Sequence, residues 1–120
     1  MARLWLLLST CAGFTGVALG AFAAHGLKSQ LTPAYLAVFQ TGTHYQLIHA
    51  LALLGVGLLA LLRPARLVNC AGALFTLGIV LFSGSLYALT LSGIAGLGVI
   101  TPFGGLAFLA GLAAEVVWYA

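Results

Sequence analysis

Three histidines, His25, His44 and His49, fall within one stretch of this 120-residue chain, and most of its other polar groups gather around them. Lys28, Gln30, Gln40, Thr41, Thr43, Tyr45 and Gln46 complete the cluster. Residues of these types could ligate a metal or a haem iron, relay a proton, or hydrogen-bond a ligand. Helix geometry narrows the choice. At about 100° per residue, Tyr45 and His49 share a face, with Gln46 close by. His44 and His49 stand about 140° apart on an ideal helix, so they would not chelate one ion from the same helix. A metal site would need His25 beside one of them, and the chain contains no Asp. Two histidines without a carboxylate or thiolate make a poor zinc site, so neither a metal nor a cofactor is expected. A haem held by one axial His has no attachment motif to support it. The plainer expectation is that these side chains satisfy one another and nearby carbonyls. A ligand or proton site is the competing reading.

A second polar patch, Ser83-Gly84-Ser85 with Tyr87, invites the question of nucleophilic catalysis. No Asp is present to orient a histidine, and Gly-x-Ser-x-Gly does not occur. Serines in apolar helices more often bond to carbonyls or tighten helix contacts. No catalytic residue is assigned, and a non-enzyme is expected. Glu115 is the one acid; it is expected near Arg3, Arg63 and Arg66, as an interfacial salt bridge or snorkelling group.

The elements that must position these groups follow from how little charge the chain carries. Hydrophobic residues make up 63% of it and charged residues 4%, against about 25% charge in a typical soluble domain. A soluble fold is excluded. The net charge of +3 comes from four basic residues and forms no basic patch, so no nucleic-acid partner is expected. Cys11 and Cys70 sit in apolar runs, where a free cysteine behaves as a small hydrophobe.

A helix needs roughly 20 apolar residues to cross about 30 Å of hydrocarbon. Four runs qualify, at about 4–24, 43–62, 67–91 and 102–118. The expected fold is all-α: one transmembrane domain, residues 1–120, folded as a four-helix bundle. Thr32-Pro33 and Thr101-Pro102 look like helix starts, with Thr as cap and Pro in the first turn. From Pro33 to Leu62 only Gly42 is a strong breaker. A helix of that length would outreach the bilayer core, so 33–41 is expected to form a short interfacial or re-entrant helix bending near Gly42. Four spans place Arg3, Arg63 and Arg66 on one side and Lys28 on the other, which predicts both termini in the cytoplasm. Trp5, Trp118 and Tyr119 would then line one interface. A signal peptide ending near Ala21-Phe22-Ala23 is the alternative reading of the first run, but its apolar length exceeds the usual core.

Sixteen glycines suit close helix packing in lipid. Gly13, Gly16, Gly20, Gly84, Gly104 and Gly111 are the expected packing positions, with Gly16-x-x-x-Gly20 the clearest pair. Gly84 would also loosen the third helix.

Four segments, taken together, resemble one family. They are Gly20-Ala21-Phe22-Ala23-Ala24-His25-Gly26-Leu27, Phe39-Gln40-Thr41-Gly42-Thr43-His44-Tyr45-Gln46 with His49-Ala50-Leu51-Ala52, Leu81-Phe82-Ser83-Gly84-Ser85-Leu86-Tyr87, and Ile100-Thr101-Pro102-Phe103-Gly104-Gly105. The chain is similar to the small membrane proteins called domain of unknown function 423, and transmembrane protein 256 of eukaryotes looks related. The resemblance implies a four-helix protein of the bacterial inner membrane, with the mitochondrial inner membrane as alternative. It carries no activity, substrate or catalytic residue.

Three classes of function compete. The first is a non-enzymatic accessory subunit or self-associating bundle, with membrane lipids and either copies of itself or a larger complex as partners. The second is a small transporter or channel, or a lipid- or quinone-binding protein. It would use His25, Lys28, Gln40, His44, Tyr45, Gln46 and His49, with Ser83, Ser85 and Tyr87. The third is a His-based metal or haem protein. The shortage of titratable groups favours the first. An open cavity beside His49 and Tyr45 would favour the second, and a solid outer half would remove it.

Overall fold

A computed structural model describes all residues, 1–120. Helix α1 runs Ala2–His25 and α2 Pro33–Leu62. The third span is α3 (Arg66–Gly78), a π turn (Ile79–Ser83) and α4 (Gly84–Ser92), continuous in direction. A short 3₁₀ turn, Ala95–Val99, leads into α5, Thr101–Tyr119. All four spans are long and apolar enough to cross a membrane. In such a chain helices are the economical solution, because each backbone N–H and C=O finds its partner within its own segment.

α1 packs along α2 and α3 along α5, making two hairpins that meet through α2 and the third span. The N-terminus, the Arg63–Ala65 turn and the C-terminus share one end. There the Trp5 indole N–H donates to Asn69 Oδ1 at 2.9 Å, and the Arg63 guanidinium lies 5.4 Å from the centre of the Trp118 ring.

No separate interfacial helix exists between the first two spans. Pro33–Leu62 is a single α-helix of 30 residues, about 45 Å long and so longer than the hydrocarbon core. Its first turns are the extension of the span itself. Thr32 accepts the Tyr35 N–H at 3.2 Å, and Pro33 occupies the first turn. Gly42 does not bend the helix because its missing side chain is used from outside. The Tyr87 ring lies against it, where a Cβ would be 2.8 Å from Tyr87 Cε1, and Ser83 Oγ donates to the Gly42 carbonyl at 2.7 Å. The turn between α1 and α2 is closed by Leu27, which buries against Ala23 and Phe39.

Other glycines repeat this device of a ring laid on a bare backbone. Trp5 covers Gly72, with 2.6 Å between a built Cβ and the indole. Phe108 covers Gly78, Phe75 covers Gly111, and Gly16 receives Leu47. At Gly104 the neighbour is backbone: a Cβ would lie 2.7 Å from Phe82 Cα. Gly13, Gly20 and Gly84, expected to pack, face open space within the chain.

Three further expectations need correction. Trp5 is core rather than lipid belt, 4% exposed, because its N–H needs a partner and Asn69 supplies one. Cys11 and Cys70 are free but exposed on helix faces that point away from the bundle. Thr101 does not cap α5 with its side chain; its hydroxyl pairs with Ser85 instead.

Candidate functional site

The polar cluster separates into three groups by what its members touch. The first is a sealed network centred on Gln46, 5% exposed. Its amide N–H groups donate to the Ala12 carbonyl at 2.9 Å and to Thr15 Oγ1 at 2.8 Å. Its Oε1 accepts from the Tyr87 hydroxyl at 2.6 Å. Thr15 in turn donates to the Cys11 carbonyl at 2.8 Å. One amide therefore ties α1, α2 and α4 together with all its donors used. Ser83 to the Gly42 carbonyl and Ser85 with Thr101 extend the pattern toward α2 and α5. No fully buried side-chain nitrogen or oxygen lacks a partner. In lipid these bonds hold helices together, each contributing on the order of 1 kcal/mol.

The second group surrounds His49, one turn further along α2. Its Nδ1 lies 2.8 Å from the Tyr45 carbonyl. A carbonyl only accepts, so Nδ1 carries the proton, and in the neutral ring Nε2 presents its lone pair. The imidazole stacks on Phe108, centroids 3.5 Å apart at 7°, and stands 5.8 Å from Phe75. Tyr45 packs on Phe82 at 4.8 Å, and Phe82 on Phe108 at 5.6 Å. These rings border an open groove of about 620 Å³ between α2 and α5, walled on the far side by Leu106, Leu109 and Leu112. Two local features create it. Gly104 lets α5 approach the backbone of the π turn, which aims Phe82 into the groove, and Gly78 gives Phe108 room to lie flat beneath His49.

The third group faces outward. His25, Lys28, Gln40 and His44 are exposed. His25 Nδ1 donates to the Ala21 carbonyl at 2.9 Å. Gln40 and His44 share a shallow surface beside Tyr45. The three histidines do not converge, and no group of three or more His, Cys, Asp or Glu side chains is placed to hold a metal ion. Glu115 is half-buried on α5 and hydrogen-bonds to none of the arginines.

Phe75, Phe108 and the walls from α5 were not among the residues expected at the site. Phe108 carries no mark in sequence beyond being aromatic, because its role depends on Gly78 standing opposite. Thr15, the partner of Gln46, was also missed; it is an ordinary polar residue in an apolar helix.

The fold defines a small multi-pass membrane protein whose polar groups are mostly structural, with one open, aromatic-lined groove. Comparison with known proteins places it further. The family described as "Protein of unknown function (DUF423)" matches residues 19–105. A UPF0382 membrane protein of Staphylococcus haemolyticus is 43% identical over 109 residues, covering 91% of this chain and 88% of that protein. The UPF0382 membrane protein YwdK of Bacillus subtilis is 45% identical over 108 residues, covering 89% and 88%. The UPF0382 inner membrane protein YgdD of Escherichia coli K12 is 40% identical over 116 residues, covering 97% and 88%. The chain belongs to the DUF423 family of small bacterial inner-membrane proteins. No solved structure matches it.

Proposed function

We propose that this protein is a non-enzymatic binding protein that holds a lipid-soluble molecule in the groove between α2 and α5. The observation that carries the reading is the open groove beside Tyr45 and His49, the place where a structure-only role would call for packed side chains. Every other polar residue buried in the bundle is occupied by another helix, which supports binding rather than chemistry. The basic residues Arg3, Arg63 and Arg66 support cytoplasmic termini. The test is extraction into nanodiscs followed by mass spectrometry of the retained lipids. Wild type is expected to retain one species in excess over bulk lipid, and Leu106→Trp, which fills the groove from its exposed wall, is expected to lose it. Identical lipid profiles for the two proteins would falsify the reading.

Self-association, or service as a subunit of a larger complex, is the second reading. It is supported by the outer face of α1, where Gly13 and Gly20 lie one above the other with nothing against them. Native mass analysis after gentle extraction tests it: a lone monomer without partner counts against it.

A further inference from the structure

We infer that the groove takes a lipid-soluble phenol or quinol, its ring hydroxyl donating a hydrogen bond to Nε2 of His49. The inference rests on the groove reading above and adds the chemistry of the ligand. His49 is 7% exposed and its Nδ1–H is committed to Tyr45. Its ring is held flat against Phe108, so Nε2 cannot turn toward another partner. No group of the chain hydrogen-bonds to Nε2, and since no sealed polar atom is left unpaired, Nε2 borders the groove. An acceptor facing hydrocarbon favours any ligand that brings a donor.

Depth restricts which donors can arrive. His49 lies 13 residues before Leu62, about 20 Å along the helix from the Arg63 end. A phosphate headgroup anchored at that interface does not reach it, whereas a lipid-soluble hydroxyl does. The walls restrict the class again. The rings of Tyr45, Phe82 and Phe108 line the inner end and suit a flat aromatic head. Leu106 and Leu109 line the outer end and suit an alkyl or isoprenoid tail. A volume of about 620 Å³ accommodates a ring with the first part of its tail.

The experiment compares 4-dodecylphenol with 4-dodecylanisole, its methyl ether, which has the same ring and tail but no donor. Each is titrated into phosphatidylcholine nanodiscs holding protein labelled with 15N-histidine and with 13C at leucine methyls. The phenol is expected to shift the His49 Nε2 resonance saturably and to bind about tenfold more tightly than the ether. His49→Phe keeps the flat ring on Phe108 but removes the acceptor; it is expected to bind both probes alike, at the ether's level. Leu106→Trp is expected to bind neither. Equal binding of the two probes to wild type overturns the hydroxyl assignment and leaves the groove reading standing. Failure of both probes to perturb His49 or the groove leucines overturns the assignment and the groove reading together.

Discussion

Gln46 and His49 are one turn apart on the same helix, yet they have opposite fates. Gln46 spends both amide hydrogens and its oxygen on two other helices. His49 spends one nitrogen on its own helix and leaves the other at the groove. The cause lies in what each faces. Gln46 looks across α1 and toward Tyr87, where backbone carbonyls and hydroxyls converge. His49 looks toward α5, whose facing residues are Phe108 and leucines. A polar side chain in a membrane span is thus not a functional mark in itself; the mark is a polar atom that its neighbours leave unused.

Substitutions can break this contrast, and they rank by how far the neighbours can yield. Gly104→Leu sets a side chain against the backbone of Phe82, which cannot move aside. It is expected to destabilise the bundle by about 3 kcal/mol or more in a denaturing-detergent titration followed by circular dichroism. Gly84→Ala, at a glycine with open space, is the control and should be neutral or slightly stabilising. Gln46→Leu leaves the Tyr87 and Thr15 hydroxyls without their partner. A loss of about 1–3 kcal/mol is expected in the same titration, with full helix content retained. Tyr87→Phe removes one of those bonds and should lose about 1 kcal/mol. His49→Phe should lie within about 0.5 kcal/mol of wild type, since the ring stack survives and no interhelical bond is lost. If His49→Phe instead proves as damaging as Gln46→Leu, the two positions are alike and the contrast fails. His44→Ala, on the exposed face, should change stability least, again within about 0.5 kcal/mol.

Much of the architecture was legible because lipid imposes so few solutions. Runs of about 20 apolar residues separated by Arg63-Pro64 or by Gly93–Gly98 leave little choice but helices. The polar cluster was legible as a list, since polar residues stand out against leucine and alanine. Its division was not. Whether Gln46 is satisfied depends on Thr15 and Ala12 on another helix, and no local pattern in either segment announces the pairing. Gly42 misled for a related reason. Alone it reads as a bend, but Tyr87 seated against it converts it into a contact and the helix runs straight through. Gly16, Gly104 and Gly111 meet neighbours, while Gly13, Gly20 and Gly84 do not, because small-residue spacing fixes a helix face and not the partner that lies on it.

The π turn at Ile79–Ser83 has a further consequence for the register of the chain. The Gly84 N–H reaches back five residues to the Ile79 carbonyl, one more than in an α-helix. The span therefore contains a single residue of slack. Below it, Phe75 and Gly78 are set against α5; above it, Ser83 and Tyr87 are set against α2. A uniform helix would satisfy one alignment and miss the other. Losing one residue anywhere in this turn would rotate all that follows by about 100°, carrying Tyr87 away from Gln46 while leaving the hydropathy of the span untouched. The turn works as a vernier between two helices that never have to agree with each other.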